Sequence, residues 1–310
     1  MLDPQAKAVL DLMIEKGVPP THTLTPAQAR AFYLERRVFS QPEAKPMAEV
    51  RDLSAPGPRG AIPLRLYRPA GVSGAAPTLV YIHGGGWVIG DIVTHEVLCT
   101  HLAAASGCAV VSVDYRMGPE HRFPAAPDDV VAATRWLQAQ APSLNLDATR
   151  FAVGGDSAGG NLAAVVALAL RDAGDAPALK FQLLIYPATD MRAGAPSHTS
   201  NGQGYLLTSD TIAYFRGHYL SPDEYTDWRA SPLLANSLAG LPPALVLTAG
   251  FDPLRDEGRQ YADAMSAAGS VAQYVCFERQ IHGFITMGRV IDEANTAVAL
   301  CGAALRRALA

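Results

Sequence analysis

Gly155-Asp156-Ser157-Ala158-Gly159 stands between an apolar run at residues 151–153 and a helical stretch at residues 161–171, so a serine occupies a glycine-flanked turn from strand to helix. This is the layout of a nucleophile elbow. The backbone at such an elbow is strained and closely approached by neighbouring chain, which favours flanking residues without bulky side chains. Gly155, Ala158, Gly159 and Gly160 meet that demand. Two nucleotide readings of the same glycines fail. A Walker loop needs Lys and then Ser or Thr after its last glycine, whereas Gly160 and Asn161 follow Gly159. A dinucleotide fingerprint needs glycines at its first, third and sixth positions, and neither Gly154 nor Gly155 begins such a series. A Gly/Ser turn without chemistry is the remaining alternative, and the rest of the chain weighs against it.

Apolar runs rich in Val, Ile and Leu recur at residues 64–67, 78–82, 109–113, 151–153, 181–186, 244–248 and 271–277. Helical stretches at 93–105, 127–139, 161–171 and 255–268 separate most of them. This alternation predicts an α/β fold, a parallel sheet covered by helices on both faces. The strand pair within residues 50–67 lacks a helix between its members and is expected to be antiparallel. Two segments fall outside the alternation. Residues 1–45 carry amphipathic spacing through Val9, Leu12, Met13, Phe32, Tyr33 and Val38, and residues 190–228 run from a Gly/Ser/Pro-rich stretch into a helix with Ile212, Tyr214, Phe215 and Tyr219. Both suit a helical cap over one end of the sheet, leaving 46–189 and 229–310 as the core.

With 310 residues, 49% of them hydrophobic and 17% charged, the chain can bury a large core. A net charge of −4 and the lack of a basic stripe argue against nucleic acid as a partner. Asp3, Lys7, Asp11, Glu15 and Lys16 interrupt the N-terminus too often for a signal-peptide core or a membrane span, so a cytoplasmic location is expected. Cys99, Cys108, Cys276 and Cys301 show no C-x-x-C spacing and read as buried thiols. A homodimer through a sheet edge or a terminal helix is compatible with this plan.

Open α/β sheets bind ligands at the carboxyl ends of their strands. Chemical residues cluster there: His83-Gly84-Gly85-Gly86-Trp87 follows one apolar run, Ser157 a second, Asp252 a third, and His282 comes shortly after the last. A serine hydroxyl needs a base to take its proton, and imidazole is suited to that task. Of eight histidines, His282 sits in a predicted loop at 280–284 beside Gly283, which leaves its ring room to reach. The imidazole in turn needs a carboxylate at its far nitrogen. Asp252, Asp256 and Glu257 compete; Asp252 stands just past its strand and is preferred, while Asp256 is expected to interact with a helix N-terminus. Negative charge developing on a carbonyl oxygen would meet backbone N–H groups of Gly85, Gly86 and Ala158 as an oxyanion hole. His83 is expected to hydrogen-bond within its loop. Neither H-E-x-x-H nor clustered Cys/His spacing occurs, and the chemistry needs no metal or other cofactor.

These blocks, together with Asp114-Tyr115-Arg116, Pro119-Glu120-His121, Phe123-Pro124-Ala125-Ala126, the run from Asp252 to Glu257, and Ile281-His282-Gly283-Phe284, resemble the hormone-sensitive lipase family (bacterial family IV) of α/β-hydrolase carboxylesterases. The resemblance extends over nearly the whole chain. It implies a mostly parallel eight-stranded sheet with a helical cap, Ser157, Asp252 and His282 as catalytic triad, and Gly85, Gly86 and Ala158 as oxyanion hole. Met117-Gly118 departs from the family's usual Leu-Ala, outside the chemical positions. Tyr115, Arg116 and Glu120 are read as braces of the glycine loop, against ordinary structural hydrogen bonding. The expected function is a serine carboxylesterase for small esters of short to medium acyl chain, with Phe32, Tyr33, Phe39, Tyr205, Leu206, Leu207 and Phe215 as apolar walls. An amidase or formamidase on the same triad is the first alternative, and a non-catalytic ligand-binding homologue the second. Hydrolysis should rise with pH as His282 gives up its proton.

Overall fold

The computed structural model describes residues 1–174 and 177–310. Helices α1 (Pro4–Glu15) and α2 (Pro26–Ser40) precede the antiparallel hairpin of β1 (Glu49–Gly57) and β2 (Gly60–Arg68). The chain then alternates through β3 (Ala76–Ile82), α3 (Ile92–Ser106), β4 (Ala109–Val113), α4 (Ala125–Gln140), β5 (Leu146–Asp156), α5 (Ala158–Ala173) and β6 (Phe181–Ile185). After α6 (Ser197–Ser200) and α7 (Ser209–Tyr219) come β7 (Ala244–Phe251), α8 (Arg255–Ala267), β8 (Ala272–Ile281) and α9 (Asp292–Ala308). The eight strands form one sheet in the order β1-β2-β4-β3-β5-β6-β7-β8, parallel throughout except where β2 meets β1 and β4.

Strand periodicity divides the interior into two cores, one on each face of the sheet. Ala76, Val80 and Ile82 of β3, Val111 and Val113 of β4 and Phe151 and Val153 of β5 point toward α4, α5 and α8. Their alternates Leu79, Tyr81, Val110 and Ala152 point toward α3 and α9. Because both faces are covered, β3, β4 and β6 are buried along nearly their whole length, and their sequences read as apolar runs broken only by Thr78, Ser112 and Gln182 rather than as alternation. Helix α9, absent from the helical stretches marked in the sequence, packs against α3 through Val298, Cys301 and Leu305. Cys99, Cys108 and Cys301 are buried free thiols, whereas Cys276 is half-buried.

Register places the chemistry. Ile82 pairs with Gly155, so the glycine loop after β3 and the elbow after β5 leave the sheet side by side. Phe251 pairs with Ile281, so Asp252 and His282 are likewise the next residues of adjacent strands. Strands β6 and β7 lie between β5 and β8, and His282, the first residue past β8, reaches Ser157 over their ends. Strand β8 continues to Ile281, so His282 follows the strand directly instead of sitting inside a loop at 280–284.

Candidate active site

Ser157 holds φ 57° and ψ −116°, a strained conformation at the head of α5. Its neighbours must be small. A Cβ on Gly159 would lie 1.9 Å from the Ile82 carbonyl oxygen, so the helix can start this close to β3 only with glycine there. The backbone N–H of Ser157 donates to Ile185 O at 2.8 Å, tying the elbow to the end of β6. Ala158 is the first residue of α5, where a backbone N–H has no partner inside the helix and faces the positive end of the helix dipole.

His282 Nε2 lies 2.9 Å from Ser157 Oγ, and its Nδ1 lies 2.7 Å from Asp252 Oδ2. A carboxylate can only accept, so Nδ1 carries the proton of the neutral ring and Nε2 is left to accept from the serine hydroxyl. Asp252 is fully buried, and its other oxygen accepts from the backbone N–H of Leu254 at 2.8 Å. The Tyr186 ring packs on the imidazole with centroids 4.5 Å apart. Asp256 and Glu257, the rival carboxylates, point elsewhere. Asp256 accepts from the backbone N–H of Ser197, in the first turn of α6 rather than of its own helix. Glu257 is buried and accepts from the N–H of Thr189 while contacting His198 Nε2. Burial pushes the Glu257 carboxyl upward, against the lowering pull of His198.

The glycine loop is braced from behind by a cluster that sequence reading did not assemble. Asp156 Oδ1 accepts from Tyr81 OH at 2.6 Å and from Gly84 N–H at 3.0 Å, with His95 Nε2 at 3.4 Å. Burial would raise the Asp156 carboxyl, but His95 and the Tyr81 hydrogen bond outweigh it and hold it below the ordinary carboxylate range. His83 is pressed down to about 4 by burial and by His95, so it is neutral at pH 7. Its Nδ1 lies 2.8 Å from Gly84 O, an acceptor, which places the ring proton on Nδ1; His83 thus bonds within its loop, as the sequence suggested. The signal for Asp156 was its place inside the elbow motif, but its partners lie about 70 residues away and nothing local names them.

Among the expected braces, Tyr115 fits: its hydroxyl donates to His83 O at 2.9 Å and its ring stacks on the imidazole at 4.4 Å. Arg116 does not. It makes a two-pronged pair with buried Asp129, at 2.8 and 2.7 Å, which fixes α4. Glu120 acts at one remove, through Arg30 of α2, whose guanidinium also donates to Val88 O and Gly118 O at 2.7 Å each.

Ser157, His282, Gly85 and Gly86 line one cavity of about 600 Å³. Residues from both segments outside the strand–helix alternation form its walls: Phe32, Tyr33 and Phe39 from α2, and Leu206, Leu207 and Phe215 from the region around α7. Phe215 rests on the glycine loop so closely that a Cβ on Gly86 would fall 2.2 Å from its ring. Tyr205, expected in the wall, instead packs against Phe251 at 5.1 Å, one residue before Asp252.

A serine, an imidazole and a carboxylate in hydrogen-bonded sequence at the carboxyl ends of a mostly parallel sheet define a serine hydrolase arrangement on an α/β scaffold. Residues 79–286 match the family model described as alpha/beta hydrolase fold. The chain is 39% identical to an ethyl acetate hydrolase of Pseudomonas putida, over 99% of both chains. It is 47% identical to the carboxylic ester hydrolase LipN of Mycobacterium tuberculosis over 77% of this chain, an overlap that spans 65% of that relative. Among solved structures, an α/β hydrolase from the metagenome of Lake Arreo, Spain, superposes with a TM-score of 0.95 at 44% identity, covering 99% of this chain and 98% of that one. A thermostable esterase from Pseudomonas putida superposes with a TM-score of 0.96 at 36% identity, covering 100% and 98%. The chain belongs to the α/β-hydrolase fold family, in the group of hormone-sensitive lipase type whose motifs its sequence carries.

Proposed function

We infer that this chain is a serine carboxylesterase in which Ser157, His282 and Asp252 are the catalytic triad. The observation that carries the reading is the unbroken row from Ser157 Oγ to His282 Nε2 at 2.9 Å and from His282 Nδ1 to Asp252 Oδ2 at 2.7 Å. Esterase relatives at 39% identity over the full length support the same reaction class. Ser157 Oγ attacks the ester carbonyl while His282 Nε2 takes its proton, and Asp252 steadies the imidazolium that forms. The carbonyl oxygen becomes an oxyanion that accepts from the N–H groups of Gly85, Gly86 and Ala158, each contributing about 3 to 4 kcal/mol. His282 then returns the proton to the departing alcohol, leaving an acyl-serine. Water attacks that intermediate, giving its proton to His282, and the carboxylic acid leaves as Ser157 recovers its hydrogen.

Residues 1–45 and 190–228 serve as the cap and 46–189 with 229–310 as the catalytic core; the support is that both cap segments supply cavity walls. That bounded, mostly apolar cavity favours small esters of short to medium acyl chain. Among the described residues no helix is long and apolar enough to cross a membrane. We place the enzyme in the cytoplasm, with a homodimer, where one forms, using a sheet edge or terminal helix. Hydrolysis of p-nitrophenyl esters over a chain-length series, with Ser157→Ala as control, tests the assignment. A matched ester and amide run in parallel separate it from an amidase, and activity that survives Ser157→Ala would end it.

A further inference from the structure

One charge in the cavity wall stands apart from the rest. Arg216 Nη1 donates to Met191 O at 2.6 Å, and Arg37 Nη1 to Leu34 O at 2.6 Å. Asp190 is bridged by Arg192, Glu257 by His198 and two backbone N–H groups, Asp156 by Tyr81 and Gly84, and Lys16 lies 3.5 Å from Glu15 near the surface. Arg36 also lines this cavity, yet among the described residues no carboxylate or carbonyl accepts from it. Its neighbour Glu35 is exposed to solvent. What Arg36 touches is aromatic: its guanidinium lies 5.2 Å from the Tyr33 ring centre and 5.7 Å from that of Phe32.

Helical spacing explains the placement. Phe32, Tyr33 and Arg36 are separated by three and four positions, so they share one face of α2, and all three line the cavity. The Tyr33 ring is 6.2 Å from that of His95, which sits 3.4 Å from Asp156, the residue before Ser157. Arg36 therefore stands one helical turn along α2 from Tyr33, whose ring neighbours the residues behind the serine. Burial lowers the Arg36 pKa from the ordinary value, but a guanidinium remains charged at neutral pH. A half-buried cation that meets ring faces and the cavity but no anion of its own leaves a place that a ligand anion would fill.

We propose that Arg36 is a specificity residue that receives a second, negatively charged carboxylate on the substrate, so that the preferred esters are monoesters of dicarboxylic acids or similarly anionic esters. This rests on the serine carboxylesterase reading. A single planar guanidinium matches a carboxylate in two-pronged geometry, and its one charge suits a monoanion. The cavity that Arg36 shares with Ser157 is walled mostly by apolar side chains, which suits a methylene spacer with the ester at one end and the carboxylate at the other.

The test compares monoethyl adipate, which carries the anion, with ethyl hexanoate, which does not, by pH-stat titration at pH 7.5. Wild type is run beside Arg36→Met and Arg36→Lys. The ratio of kcat/KM for the anionic ester to that for the neutral one should fall roughly 10- to 100-fold in Arg36→Met, through KM, and recover in part in Arg36→Lys. A ratio within threefold of wild type in Arg36→Met overturns the proposal. Should that variant fail to melt cooperatively, Arg36→Gln carries the same comparison with the same criterion. Failure of wild type to hydrolyse either ester, or equal turnover by Ser157→Ala, would instead overturn the esterase reading.

Discussion

Replacing Gly159 with alanine sets two effects against each other. Alanine is the better helix former by about 1 kcal/mol, and Gly159 lies in the first turn of α5. The added methyl, however, would sit 1.9 Å from Ile82 O, 2.6 Å from Ile82 C and 2.7 Å from His83 O. All three are backbone atoms of β3 and the residue after it, so no side chain can swing away. Ordinary contact for such a carbon begins at 3.4 Å, so the start of α5 must retreat by about 1.5 Å from β3. Overpacking of this kind costs about 1–3 kcal/mol and exceeds the propensity gain, so the net effect is destabilising. The loss of activity should be larger, because the helix start carries both Ser157 and the Ala158 N–H. A misplacement of about 1 Å costs roughly 100-fold in rate, and the 2.9 Å contact to His282 cannot survive the retreat unchanged. Thermal melting and kcat/KM on p-nitrophenyl butyrate measure the two losses. Gly217→Ala is the control: it lies in α7, nothing stands within 4 Å of the added carbon, and the change should be neutral or stabilising. Wild-type melting together with kcat/KM within threefold of wild type in Gly159→Ala would refute the close-approach argument.

Asp252→Asn should leave the fold intact and lower kcat by roughly 10⁴, since an amide cannot hold the imidazole in the same tautomer; a loss under tenfold in steady-state assays would contradict that role. Removing the carboxyl in Asp156→Ala strands the Tyr81 hydroxyl and the Gly84 N–H, and should cost about 2–4 kcal/mol, read as a lower urea midpoint at unchanged slope. Arg30 holds the Glu120 carboxyl down at about 2, so this ion pair stabilises the fold above the ordinary glutamate range and its contribution fades as pH falls from there toward 2. Because the Glu120 side chain is 53% exposed, solvent screening keeps that contribution below about 1 kcal/mol. Urea unfolding of wild type and Glu120→Gln should therefore differ slightly at pH 7, draw together below the ordinary glutamate range and converge near pH 2; a gap that widens on acidification counts against it.

The strand order, most of the helices, the elbow, the glycine loop and the place of Asp252 at a strand end are readable from the chain, because each is written within a few residues, whereas α9 is not. Alternation of period two, apolar runs bounded by turns, and glycine where backbone approaches backbone are local consequences of chain geometry. Partnerships were not readable in this way. Arg116, open to a role at the glycine loop or to an ordinary structural bond, takes the second and pairs with Asp129, while Arg30 ties α2 to Val88, Gly118 and Glu120 with no local signal for it. Tyr81, Gly84 and His95 gather on Asp156 from separate elements. Such contacts depend on which residue of one strand faces which of the next, as when Phe251 meets Ile281 and sets Asp252 beside His282. Register and helix docking are settled by the packing of two whole cores. The sequence by itself thus determined which chemical groups stand at the strand ends, and only the tertiary structure decided which of them touch.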